Sequence, residues 1–201
     1  MKTHPALALV EFADIPTAVR ATDAMIKRAP IAALRCGTIT AGRFLTIIGG
    51  TTASVEEALA AGRLEGGGAV VGEVLLPDVH PRLYEAIAGV RRPPPAGALA
   101  VVETDTVVAT VRAAEAALKG TGVELVEIRL ADAGLAGKGV AVYGGELHEV
   151  EAAMGLARAA AQPVGHLSIT IVSAPHPSLV EALAGGTALA AAALVDLGGE
   201  G

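Results

Sequence analysis

The chain has 201 residues, of which 52% are hydrophobic and only 2% aromatic, and its formal net charge is −6. An acidic chain without basic blocks or stacking side chains is a poor match for nucleic acid. Its one cysteine, Cys36, rules out an intrachain disulfide and favours a reducing compartment, and no apolar stretch is long enough to span a bilayer as a helix. We therefore expect a cytoplasmic protein that binds neither nucleic acid nor membrane.

The sequence is duplicated. ALALVE at 6–11 returns as ALAVVE at 98–103, and the Gly-Gly pair at 49–50 returns at 144–145. The offset grows from 92 to 95 between these matches, which places an insertion of about three residues in the loop around 131–136. Because the order of the matches is preserved throughout, the two copies are expected to fold alike.

Each copy predicts the same series of elements. Residues 6–11 form a short apolar run of the kind that makes a buried strand. Asp14 is a candidate N-cap for the helix that follows, whose apolar residues recur at helical spacing. Two strands at 31–36 and 44–48, a second amphipathic helix, a fourth strand at 69–76 and a short helix complete the copy.

This order of elements defines the fold class. Each copy is an α/β unit (α+β, ferredoxin-like βαββαβ) with two helices covering one face of its sheet. The sequence predicts a first domain at 1–88, a stiff Pro-rich linker at 89–97 and a second domain at 98–184. The Ala/Gly-rich tail at 185–201 is predicted to be flexible.

Several motifs occur together in this order. After the ALxxVE strand come DAMIKRAP at 23–30, a strand that ends in Gly-Gly, VEEALAAG at 55–62 and a PH dipeptide near the end. The combination resembles the shell-forming domain of bacterial microcompartments. Two copies in one chain resemble the tandem-domain, trimer-forming shell proteins, with the elements in the unpermuted order of the propanediol-utilisation type.

The resemblance implies a homotrimer whose six domains form a pseudo-hexameric tile with a central pore for small metabolites. Asp132 could be a turn residue or one of three carboxylates that meet on the axis and disfavour anions. Small residues dominate the two loops that the resemblance places at the pore. The pore-lining residues it implies are Thr38, Ile39, Thr40, Ala41 and Gly42 of the first loop and Asp132, Ala133, Gly134 and Leu135 of the second.

The resemblance also implies contacts with other shell proteins at the tile edges. The family's helix-end lysine falls on Lys27 and Lys119. Such a lysine can donate hydrogen bonds to backbone carbonyls across an edge, and its recurrence favours that role over a solvated helix end. The family's edge arginine is absent, because Asp78 and Ala174 stand in its place, and this weakens the expected edge contacts.

No cofactor, metal site or catalytic site is expected. Some tandem relatives hold an iron–sulfur cluster through a cysteine in the first pore loop, but Thr40 stands at that position here and Cys36 lies four residues earlier. His80 and His176 recur at equivalent positions without a catalytic partner, so a structural role is favoured for both.

The sequence thus predicts a structural shell protein of a bacterial microcompartment, and not an enzyme. The alternative is a small-molecule-sensing regulatory protein built from tandem βαββαβ domains. The two hypotheses differ in assembly state and in whether a specific effector stabilises the protein.

Overall fold

A computed structural model describes residues 4–192, 195, 197 and 198. The elements of the first half are β1 (Ala6–Phe12), α1 (Ile15–Arg28), β2 (Ala33–Ile39), β3 (Arg43–Gly50), α2 (Thr52–Gly66), β4 (Val70–Leu76) and α3 (Pro81–Ile87). Those of the second half are β5 (Ala98–Thr104), α4 (Val107–Gly120), β6 (Glu124–Leu130), β7 (Gly139–Gly145), α5 (Leu147–Ala161), β8 (Leu167–Val172) and α6 (Pro177–Leu183).

Each half contains one four-stranded antiparallel sheet. The strand orders are β2-β3-β1-β4 in the first half and β6-β7-β5-β8 in the second. The two long helices of each half pack against each other and against that sheet. This is the ferredoxin-like βαββαβ arrangement, so the fold class predicted from the sequence is confirmed.

Helix α1 begins after the N-cap residue that the sequence predicts, and α4 begins after a threonine cap that was not predicted. Asp14 caps α1 by accepting the Thr17 N–H at 2.8 Å, and Thr106 caps α4 by accepting the Ala109 N–H at 3.2 Å. Small side chains then allow close helix packing. A Cβ atom on Gly62 of α2 would lie 2.6 Å from the sulfur of Met25 in α1, so the two helices approach this closely only because position 62 is glycine.

The second strand lies further along the chain than expected. It spans Ala33–Ile39 rather than 31–36, because its ladder with β3 continues until Ile39 pairs with Arg43. The predicted pore-loop residues Thr38 and Ile39 are therefore strand residues, which corrects the expected extent of that loop. The loop itself is the tight turn Thr40–Gly42.

The two halves share a hydrophobic core. Helix α4 of the second half packs against β4 and β1 of the first, and α3 of the first half packs against β6 of the second. One core cluster joins Leu9 and Val74 of the first half to Val107 and Val111 of α4. The linker at 89–97 contains no helix or strand and is fixed along β6, where the Arg92 N–H donates to the Val126 carbonyl at 3.0 Å.

The C-terminal tail is anchored where it begins. Both the N–H and the hydroxyl of Thr187 donate to the Glu127 carboxylate at 3.0 Å. Arg91 of the linker donates to the carbonyls of Leu183 and Ala184 at 3.0 and 2.6 Å. The predicted flexible tail is thus held at its start, and positions 193, 194, 196 and 199–201 lie outside the described residues. Across the part of the chain that is described, no helix is long and apolar enough to cross a membrane.

Candidate pore loops and assembly surfaces

The two predicted pore loops touch each other within one chain. The Thr40 hydroxyl donates to the Ala131 carbonyl at 2.6 Å and accepts the Gly137 N–H at 2.8 Å. The Thr40 N–H also donates to the Ala131 carbonyl, at 2.9 Å. One threonine therefore fastens the first loop to both ends of the second, although the residues lie more than ninety positions apart in sequence.

Both loops contain strained backbone. Among the described residues, the non-glycine residues with positive φ are Ala41, Ala131 and Ala136, and all three lie in these loops. Left-handed backbone at alanine costs roughly 1–2 kcal/mol per residue and persists only where the surroundings enforce it. Here the Thr40 hydrogen bonds and the close approach of Ala41 to Gly137 supply that constraint.

Asp132 carries a carboxylate that is already paired. Both of its oxygens accept hydrogen bonds from Arg129, one of them at 3.1 Å, while the Asp132 side chain remains half exposed. The same guanidinium donates to the Ala133 carbonyl at 2.9 Å. The hydrogen bond to Asp132 raises the pKa of Arg129. An arginine bound in this way offsets the negative charge of the Asp132 carboxylate.

The junction between the halves is built around a buried carboxylate. Glu11 of β1 is fully buried, and its carboxylate accepts one hydrogen bond from Arg43 at 2.6 Å and another from the Val107 N–H at 2.9 Å. Burial raises the pKa of Glu11 despite these partners. Arg43 also donates to the Asp105 carbonyl at 2.9 Å. The first half thereby binds the N-terminus of α4, where the helix dipole favours a negative group.

A second junction contact is made by Arg82 of α3, which is buried. Its guanidinium donates to the carbonyls of Leu125 (2.7 Å), Val126 (3.2 Å) and Val90 (3.0 Å). These three bonds satisfy carbonyls of β6 and of the linker, and they fix α3 over the second sheet. Sequence reasoning did not select Glu11, Arg43 or Arg82; the one available signal was a charged residue, Glu11, inside an otherwise apolar strand.

The two predicted edge lysines have different surroundings. Lys27 is exposed, and its ion pair among the described residues lies within its own helix, with Asp23 at 2.5 Å. Lys119 pairs with Glu115 at 2.7 Å and also donates to the Asp78 carbonyl of the other half. Glu115 accepts the His80 N–H at 3.1 Å. Lys119 is therefore part of the junction within the chain, and the tile-edge role of both lysines stays a prediction.

Equivalent helices differ sharply in exposure. Val111 of α4 is 0% exposed, whereas Val19, its counterpart in α1, is 54% exposed. The same contrast holds along the whole face: α4 buries Val107 and Leu118, and α1 exposes Ile15 and Ile26. The edge strands differ in the same way, because Leu125 of β6 is buried under α3 and Leu34 of β2 is exposed. Leu83 of α3 is buried, whereas Leu179 of α6 is exposed.

The two histidines that recur in the repeat have structural roles. His80 and His176 are helix caps, since their Nδ1 atoms accept the N–H groups of Arg82 and Ser178, each at 3.2 Å. Within residues 4–192 and the three described beyond them, no three His, Cys, Asp or Glu side chains are grouped to hold a metal ion. Cys36 is exposed on β2.

The sequence and the fold place the chain in a known family. Residues 6–79 and 98–176 each match the BMC domain, and the chain belongs to this family. It is 32% identical over 175 residues to the bacterial microcompartment shell protein PduT of Citrobacter freundii, a match that covers 87% of this chain and 95% of the relative.

Solved structures agree with this assignment. A microcompartment protein from Desulfitobacterium hafniense DCB is 30% identical, superposes with a TM-score of 0.74, and the match covers 87% of this chain and 97% of that one. A fused permuted hexameric shell protein of the RMM microcompartment shares the fold, with a TM-score of 0.59 at 21% identity and coverage of 80% and 86%. The resemblance inferred from the motifs is therefore confirmed.

Proposed function

We propose that the chain is a structural shell protein of a bacterial microcompartment. It forms a homotrimer, in which three copies of the two-domain chain supply the six domains of a pseudo-hexameric tile. Family membership and the relatives named above support the structural role, and they give no support to the regulatory alternative. The chain acts without catalysis, in the cytoplasm, as part of the shell.

The main support for a trimer is an exposed apolar surface on the first half, whose counterpart in the second half is buried. The α1 face that contains Ile15, Val19 and Ile26 corresponds to the α4 face that the chain buries between its own halves. If the second half of another copy covers α1 as the first half covers α4, one kind of junction is repeated around a ring. A heterologous contact whose rotation closes produces a cyclic oligomer.

The pore of this trimer is lined by the two bonded loops. Thr40 joins them within each chain, so three loop pairs surround the axis. The residues we assign to the pore are Thr38, Ile39, Thr40, Ala41, Gly42, Asp132, Ala133, Gly134 and Leu135. Because Arg129 pairs with Asp132, the pore admits small metabolites without strong selection against anions.

An iron–sulfur cluster does not fit this pore. A cluster requires thiolate ligands, and Thr40, at the position where some relatives have cysteine, uses its hydroxyl to bind Ala131 and Gly137. Anaerobic incubation with iron and sulfide should therefore leave the protein without visible charge-transfer absorption. A stoichiometric chromophore would contradict this assignment.

Neighbouring tiles meet at edges where Lys27 and Lys119 contribute donors to backbone carbonyls, and other shell proteins share these edges. Lys27 keeps its ammonium largely exposed and is the better placed of the two for such a contact. Lys119 already uses one donor on the Asp78 carbonyl.

Assembly state tests the proposal directly. Mass photometry and sedimentation velocity of the full chain should give a trimer, and a monomer or dimer would exclude the tile. Val19→Lys should convert the trimer to monomers, because it places a charge in the surface that another copy buries. Leu64→Lys is the matched control: Leu64 is 84% exposed on α2, outside that surface, and the variant should remain trimeric.

The pore is tested separately. A bulky residue at Thr40 would break the bond between the loops, so bulk is better added at Ala133, which is exposed in the second loop. Ala133→Phe should keep the trimer and narrow the axis, which a cryo-EM reconstruction of the tile would show. An unchanged axial opening in a trimer that carries this substitution would exclude Ala133 from the pore.

A further inference from the structure

The second half contains a polar cluster that corresponds to the Glu11 junction. Glu103 occupies the position of Glu11 in the repeat, and Lys138 occupies that of Arg43. Lys138 Nζ lies 2.8 Å from a Glu103 oxygen, and His166 Nε2 lies 3.0 Å from the same oxygen. The hydrogen bond from Lys138 lowers the pKa of Glu103.

The two clusters differ in what they bind. Glu11 is fully buried because α4 lies against it, and its second oxygen accepts the Val107 N–H. Glu103 is 31% exposed, and both of its described side-chain partners bind one oxygen. The residue that corresponds to Val107 is Ile15, at the N-terminus of α1, and Ile15 is itself exposed. The Glu103 cluster and the N-terminus of α1 are therefore the repeat counterparts of the two groups that meet at the Glu11 junction.

We propose that Glu103, Lys138 and His166 form the polar contact through which the second half binds the first half of another copy. Glu103 accepts the N–H of Ile15 of that copy, and Lys138 donates to its Ala13 carbonyl, as Arg43 does to Asp105 within the chain. This inference rests on the proposed trimer and identifies the residues that close it.

Charge complementarity explains why the two clusters differ in composition. Within the chain, the capping residue before Val107 is the neutral Thr106, and a single cation, Arg43, is sufficient. Between copies, the capping residue before Ile15 is Asp14, which adds a second carboxylate. The second half correspondingly has two basic groups, Lys138 and His166, while the first half has Ala69 or Val70 where His166 would be.

The junction between copies also has fewer fixed contacts than the junction within the chain. The α1 residue after Ile15 is Pro16, which has no N–H to donate to a carboxylate. Ser178 stands in α6 where Arg82 stands in α3, so the buried guanidinium has no counterpart. The trimer should therefore separate between copies while each chain stays folded.

Paired substitutions test this assignment. Glu103→Gln should increase the trimer dissociation constant about tenfold or more, because a neutral amide replaces a charged acceptor at the contact. The melting temperature of the separated chain should fall only slightly, because the ion pairs of Glu103 with Lys138 and His166 are partly exposed. Glu11→Gln is the matched variant in the other half. It should lower the melting temperature of the chain by much more, because Glu11 is fully buried and binds both Arg43 and the Val107 N–H across the junction within the chain.

Hydrogen exchange at the Ile15 amide gives a second measurement that does not depend on overall affinity. In wild-type trimers this amide should be protected, and at concentrations that keep Glu103→Gln trimeric it should exchange faster. If the wild type is not a trimer, the proposed function fails. If the wild type is a trimer and Glu103→Gln changes neither the dissociation constant nor the exchange of the Ile15 amide, the proposed tile is supported and the proposed contact between Glu103 and Ile15 is wrong.

Discussion

The Thr40 side chain connects the two loops through a single hydroxyl. Its hydroxyl is donor to one residue of the second loop and acceptor from another. Thr40→Val keeps the shape of the side chain but leaves the Gly137 N–H without its acceptor, so we expect the free energy of unfolding to fall by about 1 kcal/mol. Denaturant titration would measure this. Thr40→Ser keeps the hydroxyl, so its free energy of unfolding should fall much less than that of Thr40→Val. An equal fall in the two variants would mean that the hydrogen bonds of Thr40 do not contribute to stability.

Arg82 and Ser178 occupy equivalent positions in the two halves and can be compared by substitution. Arg82→Met removes three charge-assisted hydrogen bonds to carbonyls, two of which belong to β6, and keeps most of the side-chain volume. We expect it to lower the free energy of unfolding by roughly 3 kcal/mol. Ser178→Ala, at the equivalent position of α6, should change it by less than about 0.5 kcal/mol. A small loss for Arg82→Met in urea denaturation would contradict the junction described here.

The sequence could predict some of these residues and not others. The resemblance to shell proteins placed Thr40 and Asp132 in loops, and the change of offset between the two copies independently placed a loop around 131–136. The sequence could not predict that Arg129 pairs with Asp132, or that Glu11 binds the N-terminus of α4, since these contacts depend on how elements meet in space. A periodic pattern shows which face of an element is buried, and contains no information about which other element covers it.

At the level of whole elements, α1 and α4 have the same apolar spacing and different surroundings. Both were predicted as amphipathic helices, and both are helices of equal length. The strand β2 was placed too early, because its ladder with β3 depends on pairing that propensity does not encode. The sequence predicts that the apolar face of α1 is buried, whereas the structure of a single chain leaves it exposed. This difference indicates that another molecule covers it.

Lys27 lies at the end of α1 and allows the tile edge to be tested apart from the trimer. Its ion pair with Asp23 is exposed, and such pairs contribute at most about 1 kcal/mol. Lys27→Ala should therefore leave the melting temperature nearly unchanged and reduce the formation of sheets seen by electron microscopy. Lys119→Ala should in addition lower the melting temperature, because Lys119 joins the halves. Sheets of normal extent from the Lys27 variant would exclude the edge role.

At the scale of the whole molecule, duplication gives two kinds of junction that can change independently. The junction within the chain does not depend on protein concentration, because both halves are one polypeptide, and its carboxylate is fully buried. The junction between copies depends on concentration and on a partly exposed cluster. One duplicated sequence thereby combines a permanent contact with a reversible one.

Acidification has opposite effects on the stabilisation that Glu103 and Glu11 contribute. The pKa of Glu103 lies below the ordinary value of 4.5, so its contribution is present above that pH and is lost as the pH falls through its lowered pKa. The pKa of Glu11 is raised by burial, so its contribution is present at low pH and declines as the pH rises through that raised value. Acidification below pH 4.5 therefore removes the charge of Glu103 at the junction between copies, without weakening the Glu11 junction through protonation of Glu11.

Trimers should consequently dissociate on acidification before the chains unfold. Sedimentation velocity and far-UV circular dichroism across the same pH series would show the two transitions separately. In Glu103→Gln, which has no carboxylate to protonate at this position, trimer association should be weaker at neutral pH, and it should depend much less on pH below 4.5. Coincident loss of trimer and of helix in the wild type would mean that the two junctions are equally stable in acid, and that the carboxylates do not distinguish them.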